Sequence, residues 1–338
     1  MNSNKSQPRA RIQDVAALAG VSPATASRAL ANDPKVTNAT RQKVIDAARA
    51  LRFRRNSLAR DLRSGGMTTA IGYVIEDLIN PWYSLVAAGA EEVFRKADLE
   101  LIVATTEGDS QREQLVVKTM LERRVRALLL VPLSDDHSYL EGERQLGTPL
   151  VFVDRPPVNL IADSITIDNR GGMKSAVRQL TKHGHERIGL LAGPQQLWTT
   201  SERLEGYKSG LSESGLTFDA SLVRHVQYSE EEVSNAAIGM VQLDNPPTAI
   251  IATNNRITVL LLKSNKKLVD QIAFVGFDDF ELAELLGITV VTHDPLDIGR
   301  EAARLTLARI GRPQDTPERI EIETFVIPRG SGERVAKK

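Results

Sequence analysis

From Thr69 onward, apolar runs of strand length alternate with amphipathic stretches of helical length. The runs are IGYVI (71–75), LELIVAT (99–105), ALLLV (127–131), PLVFV (149–153), SITID (164–168), RIGLLAG (187–193), TAIIAT (248–253), IAFVGF (272–277) and ITVVTH (288–293). Runs that lack a polar face predict strands buried on both sides, and helices between them predict parallel sheets covered on both faces. At least nine such strands predict two doubly wound α/β lobes. Ligands of such lobes lie beyond the carboxyl ends of the strands. That rule gathers Glu76-Asp77, Asp154-Arg155, Gly193-Pro194, Asn254-Asn255, Asp278-Asp279 and His293-Asp294 around one cleft.

Before residue 69 the pattern is different. Met1–Ala10 is polar and reads as a disordered tail. Arg11–Leu51 reads as three short helices. In the first, Ile12, Val15, Leu18 and Ala19 share one face, and Gly20 ends it. Ser22 is an N-cap with Pro23 at the first helical position. The second helix buries Ala26 and Leu30 and stops near Asn32-Asp33-Pro34. Thr37 or Asn38 caps the third, whose buried face is Val44, Ala47 and Leu51. In RFRRNSLARDLRSGG, Asn56 can cap one or two turns that Gly65-Gly66 close, a linker too short to be a stable helix alone. The domain boundaries that follow are a tail (1–10), an all-α domain (11–55), a linker (56–66), a two-lobed α/β domain (67–330) and a second tail (331–338).

The charge is what changes the picture. The chain balances 43 Lys/Arg against 43 Asp/Glu, yet residues 1–66 hold 13 basic and 4 acidic side chains, a balance of +9. The remainder therefore carries 30 basic and 39 acidic residues, a balance of −9. A basic module on an acidic body points to a polyanionic partner; a basic solvated tail is the alternative, and the structural patterning of 11–63 speaks against it. There are no cysteines, so no disulfide framework and no thiolate metal site. No apolar run approaches a membrane span and no secretory signal is visible, so a cytoplasmic protein is expected.

Two helices joined by a short glycine-containing turn form a helix-turn-helix, whose second helix lies in the DNA major groove. That helix offers Pro23, Ala24, Thr25, Ser27 and Arg28. Arg28 can donate two hydrogen bonds to a guanine, Thr25 and Ser27 suit phosphates or bases, and Pro23 and Ala24 give only apolar contacts. An ordinary small helical subdomain has the same spacing; the adjacent positive charge favours DNA.

These segments resemble a known family. IQDVAALAGVSPATASRAL, then VTNATRQKV and NSLARDLRSG, is similar to the N-terminal module of the lactose-repressor (LacI/GalR) family of bacterial transcription regulators. NPWYSLVAAGAEE, VFVDRP, IDNRGG, GHERIGLLAGP, RLEGY and VGFDDFELA continue the resemblance in the family's order, from residue 11 to 330. It implies an N-terminal all-α helix-turn-helix domain and a two-lobed, periplasmic-binding-protein-like (type I) effector domain that dimerises. By the resemblance, the Asn56–Arg63 segment is a hinge helix ordered on double-stranded operator DNA. Asn56 and Ala59 belong to its DNA contacts, Arg60 and Arg63 follow phosphates, and Leu62 is a wedge in the minor groove. Read without the family, Leu62 is one apolar residue in an exposed linker. The implied effector site holds Glu76, Trp82, Tyr83, Asp154, Arg203, Asn254, Asp278 and His293, with Arg203 beginning the helix after LAGP. Carboxylates beside a planar guanidinium suit a polyhydroxylated, sugar-like effector.

Some positions depart from the family. Arg11 stands where a small capping hydroxyl is usual, so it either weakens the first cap or reaches a phosphate. Arg55 replaces a proline common before the hinge. Residues 259–271 look short for the passage between helix and strand. Asn255 reads as a helix cap rather than a ligand, Asp279 as a cap, and Trp198 as locally packed. His183-Gly184-His185 reads as a helix end.

Enzymatic chemistry finds no support: G-x-G-x-x-G, G-x-x-x-x-G-K-[ST] and G-x-S-x-G are all absent, and no H-x-x-x-H pair occurs. No cofactor, metal or membrane partner is expected. The expected function is a repressor that binds a palindromic operator as a homodimer under control of a small effector; the alternatives are a solute-binding protein and an effector-independent, nucleoid-type DNA binder.

Overall fold

The structure, a computed structural model, describes residues 10–53, 68–312 and 315–336. The linker residues Asn56, Ala59, Arg60, Leu62 and Arg63 lie outside the described residues, as does Arg55. The chain divides into two units at Thr68/Thr69.

In the first unit, α1 (Ile12–Ala19), α2 (Pro23–Leu30) and α3 (Asn38–Ala50) pack around Val15, Ala16, Ala26, Ala29, Val36, Val44, Ala47 and Ala48. Helices this short hold only because they bury a shared face. Alanine and valine let their backbones approach closely. Gly20, at φ 67°, closes α1 in the left-handed conformation that glycine adopts without penalty. Ser22 caps α2 by accepting from Thr25 N at 3.1 Å, and Thr37, not Asn38, caps α3 through Thr40 N at 3.3 Å. Arg41 donates to Asp33 O and Val36 O and so fastens the turn between α2 and α3.

Two expectations need correcting here. Leu18 is 56% exposed, and Ala16 takes its place in the core. The helix turns 100° per residue, and the axis of contact falls on Val15 and Ala16 rather than one step further round. In α2 the fully buried partner of Ala26 is Ala29, while Leu30 lies at the core's edge. Arg11 makes no side-chain cap; the start of α1 is held instead by Arg11 N donating to the Asp14 carboxylate at 2.6 Å.

The second unit contains two six-stranded sheets. Lobe 1 is built from β1 (Ala70–Ile75), β2 (Glu100–Thr105), β3 (Ala127–Leu130), β4 (Leu150–Val153), β5 (Asp163–Ile167) and β11 (Arg319–Ile322), in the order β11-β5-β4-β3-β1-β2, all parallel. Lobe 2 uses β6 (Ile188–Ala192), β7 (Val223–His225), β8 (Ala249–Ala252), β9 (Ala273–Phe277), β10 (Thr289–Thr292) and β12 (Phe325–Ile327), in the order β12-β10-β9-β8-β6-β7. Its β12 is antiparallel.

Alternate strand residues enter opposite cores, as the pleat requires. In lobe 1, Ile71, Tyr73, Leu129 and Val151 meet α4 (Pro81–Lys96) and α11 (Pro295–Gly311), whereas Val74, Leu128, Leu130 and Phe152 meet α5 (Ser110–Glu122). In lobe 2, Leu190, Ile251 and Val275 face α7 (Asn169–Thr181) and α8 (Trp198–Glu213). There, Leu191, Ile250 and Phe274 face α9 (Glu230–Val241) and α10 (Asn255–Gln271).

The chain passes between lobes three times: after β5 at Asp168, after β10 at His293-Asp294, and between β11 and β12. The first and third passages are tied together, with Asp168 N donating to Ile322 O at 2.9 Å and Thr324 Oγ1 to Asp168 O at 3.2 Å. At the second, α11 returns to lobe 1 and packs backbone to backbone on α4 through Gly89 and Gly299.

The passage 259–271, expected to be short for a helix, loop and strand, is helical throughout with a kink at Asn265 (φ −150°, ψ 49°). The segment after residue 330, expected as a tail, packs on lobe 2. Ser331 is buried, its Oγ donates to Phe274 O at 2.6 Å, and Ala336 N donates to His183 O at 3.1 Å.

Candidate functional site

The carboxyl ends of β1, β4, β8, β9 and β10 meet the first turns of α4 and α8 in one cleft between the lobes. Glu76, Trp82, Tyr83, Asp154, Arg203, Asn254, Asp278 and His293, the residues expected from sequence, all line it. So do Asn80, Arg155, Leu197, Thr199, Tyr228 and Arg256, which were not singled out as site residues.

Each lobe contributes one aspartate from its fourth strand in the same unusual conformation. Asp154 has φ 75° and Asp278 φ 64°, in the left-handed region. Asp154 N donates to Ile165 O on β5, and Asp278 N donates to Val291 O on β10. Such a backbone costs on the order of 1 kcal/mol per residue, and residues of this kind cluster where ligands are held. Each carboxylate meets an arginine. Arg155 Nε donates to Asp154 Oδ2 at 3.0 Å, Nη1 to Pro132 O at 2.9 Å and Nη2 to Glu76 Oε2 at 3.3 Å. Arg203 donates to Asp278 Oδ2 at 3.1 Å, to Asn169 Oδ1 at 2.7 Å and to Thr253 O, with its guanidinium 3.9 Å above the Phe277 ring. Burial raises the Asp278 pKa, and the charge and hydrogen bonds of Arg203 oppose the rise. Arg203 lies in the second turn of α8; the helix begins at Trp198, five residues earlier than expected.

Trp82 and Tyr83 are buried in the first turn of α4, whose N-cap is Asn80. Trp82 Nε1 donates to His293 Nε2 at 2.7 Å, and Tyr83 OH donates to Glu76 Oε2 at 3.1 Å. Burial, with Arg203 nearby, pushes the His293 pKa down to about 4, so the ring is neutral at neutral pH. Burial, then the Glu76 charge, raises the Tyr83 pKa and keeps its phenol protonated.

Asn254 lines the cleft as expected, but it also takes the capping part expected of Asn255. Asn254 is the cap of α10, its Oδ1 accepting from Ile257 N at 2.9 Å, and its Nδ2 donates to Tyr228 OH at 3.1 Å. Asn255 reaches across the cleft to Asn80 Oδ1 at 3.1 Å. A cap must stand one residue outside the helix, and α10 starts at Asn255. Asp279 does not cap a described helix; it holds Arg329 through two 2.7 Å bonds and receives Phe280 N.

Arg256 completes the bridging. From α10 in lobe 2 it donates to Glu76 Oε1 at 3.4 Å and Asp77 Oδ2 at 3.1 Å in lobe 1, while stacking 3.9 Å above Tyr228. No local pattern marks this residue. The only signal is an arginine in the first turn of a helix that faces the acidic pair closing β1. With these bridges in place the cleft offers about 50 Å³, room for a few waters. The bridge is partly exposed and worth on the order of 1 kcal/mol. Arg256→Gln should lower the calorimetric Tm by roughly 2–4 °C and speed amide exchange in the turn 76–80. Unchanged exchange there would show that the bridge does not hold the lobes together.

In the first unit, Pro23, Ala24, Ser27 and Arg28 are exposed on α2, as a helix that reads DNA requires; Thr25 is half-buried, its Oγ1 2.9 Å from Ser22 Oγ. Arg11 is exposed at the start of α1. Among the described residues no group of three or more His, Asp or Glu is placed to hold a metal, and no helix is long and apolar enough to cross a membrane.

Residues 11–56 match the family described as bacterial regulatory proteins, lacI family, and residues 177–332 match the periplasmic binding protein-like domain. Residues 11–56 thus form a DNA-binding module of the lacI family, followed by a periplasmic binding protein-like domain. The chain is 29% identical over 322 residues to a probable HTH-type transcriptional regulator, EndR, of Paenibacillus polymyxa, covering 92% of this chain and 94% of that one. It is likewise 29% identical to the HTH-type transcriptional repressor PurR of Photobacterium profundum, covering 89% and 92%. Among solved structures, a transcriptional regulator CelR–cellobiose complex matches with TM-score 0.70 and 26% identity over 96% of this chain and 100% of that one. These relatives are transcriptional regulators, and the chain shares their DNA-binding module and periplasmic-binding-protein-like domain.

Proposed function

We propose that the protein is a repressor that binds a palindromic operator as a homodimer, and that a small sugar-like effector in the interlobe cleft alters its affinity for DNA. The observation that carries the effector half is the pair of left-handed aspartates, Asp154 and Asp278, delivered to one cleft by equivalent strands of the two lobes. A ligand that bonds to both fixes the angle between the lobes. It shifts the equilibrium only as far as it prefers one angle to another, and coupling of about 1–3 kcal/mol is the usual scale. The CelR relative, solved as a complex with cellobiose, supports a saccharide as the effector.

Dimerisation is supported by an apolar strip on the outer edge of lobe 1. Val103 on the edge strand β2 is 40% exposed and Leu115 on α5 is 66% exposed, beside Ile102, Ala104 and Val116. An open edge strand with apolar flanks is a template for pairing. In the DNA half, the side chains of α2 read the half-site, and Arg60, Leu62 and Arg63 of the linker meet the centre of the operator. Arg28→Ala should cost about 1–3 kcal/mol on the preferred site and relax base preference at one position per half-site. An equal loss on all sequences would make Arg28 a phosphate contact.

The small volume of the cleft, about 50 Å³, favours a second reading, an effector-independent DNA binder. The two are separated by measuring operator affinity of the full chain with and without uncharged sugars. A shift of about fivefold or more supports the effector; constant affinity across the set supports the second reading.

A further inference from the structure

Among the described residues of the cleft, His293 carries a buried polar atom without a partner, and its chemistry restricts what can bind beside it. Trp82 Nε1 donates to His293 Nε2. An indole N–H can only donate, so Nε2 presents its lone pair and the neutral ring carries its proton on Nδ1. His293 Nδ1 is buried and has no hydrogen-bond partner. The nearest charged oxygen is Asp278 Oδ1, 4.0 Å away and too far for a bond.

A ligand atom between these two must accept from Nδ1–H and donate to a carboxylate. A hydroxyl does both. A phosphate or carboxylate oxygen accepts, but it meets the Asp278 charge; an ammonium donates, but it meets the Nδ1 proton. The guanidiniums do not offset this, because Arg155, Arg203 and Arg256 each already face carboxylates.

We infer that the cleft selects an uncharged polyhydroxy compound, one hydroxyl of which bridges His293 Nδ1 and Asp278, and that it rejects phosphorylated and carboxylated sugars. This rests on the reading of the cleft as the effector site. His293 is then a specificity-determining residue, held in the donating tautomer by Trp82.

Two measurements test it. The first needs no ligand: ¹⁵N shifts of the His293 ring in the full chain should show protonated Nδ1 and bare Nε2, and the opposite tautomer overturns the inference. The second titrates the full chain by calorimetry with glucose, ribose, cellobiose and sorbitol, and with glucose 6-phosphate, ribose 5-phosphate, gluconate and glucuronate. The expected binder is uncharged, its charged counterpart binds at least about 100-fold more weakly, and His293→Phe weakens the binder about tenfold or more. His293→Gln, whose amide can accept from Trp82 and donate onward, retains most of the affinity. Charged compounds that bind as well as uncharged ones, or His293→Phe at wild-type affinity, overturn the inference and leave the effector reading standing. Silence from both classes overturns the effector reading, and the inference falls with it.

Discussion

Arg203→Ala will destabilise the two-lobed unit by about 3 kcal/mol or more, because it leaves a buried carboxylate without its partner. Arg203 joins α7 through Asn169, the end of β8 through Thr253 O, and the end of β9 through Asp278. Only the last contact is recovered by a ligand. The substitution is therefore a structural lesion as well as a binding one, which the sequence alone does not suggest. The loss depends on pH. An acid whose pKa is higher in the folded protein takes up its proton first in the fold, so stability falls as pH rises through that window, and the cost is complete above the folded pKa. Asp278 is such an acid, and Arg203 works against its rise. Removing Arg203 lifts the pKa further. The Tm deficit of the variant should be largest at neutral pH and shrink toward about pH 5. Adding Asp278→Asn should restore part of the loss, since it removes the orphaned charge. A deficit that does not vary with pH would mean that lost packing, not the bare carboxylate, sets the cost.

Gly299→Ala should be nearly as damaging, by about 2–3 kcal/mol, although alanine is the better helix former. A Cβ on Gly299 would stand 2.0 Å from Val86 O, and one on Gly89 would stand 2.1 Å from Leu296 O. Both obstacles are backbone, so α4 and α11 would have to separate. Gly239 provides the contrast: it lies inside α9 with nothing within 4 Å of its would-be Cβ. There the same change should stabilise by roughly 0.5–1 kcal/mol. Thermal or urea unfolding of the two variants should give opposite signs. A stabilised Gly299→Ala would mean that the helices do not pack this closely. Because α11 follows His293 directly and α4 carries Trp82, separating them should also disturb the Trp82–His293 bond.

The inner strands were legible because burial on both faces makes them mostly apolar; all nine expected strands form, although β2, expected buried on both faces, is an edge strand with no fully buried residue, legible only by its length and apolar run. The three unexpected strands carry a different signal. In β7 (VRH), β11 (RIEI) and β12 (FVI) no residue is fully buried, so the chain shows charged or isolated apolar positions there. Two of them, β11 and β12, complete different lobes only after the chain has crossed back, and no local pattern encodes that. The acids at the strand ends were legible through the rule that ligands lie beyond carboxyl ends. Which cation meets which acid was not. Arg256 meets Glu76 across 180 residues of sequence, and Arg155 meets it across 79. That Asn254 rather than Asn255 caps α10 is a one-residue question of where the helix begins, which propensity does not resolve. Leu18 is a similar case: Leu18 and Ala16 are both compatible with an amphipathic α1, and the packing of α2 and α3 decides between them.

A dimeric repressor must read a two-fold DNA sequence. The most direct test is selection of bound fragments from a random-sequence DNA pool at controlled salt, followed by sequencing. The expected result is an enriched palindrome with two equal half-sites, at which Arg28→Ala relaxes one position in each half. Tight binding that enriches no sequence and falls steeply with salt would contradict it.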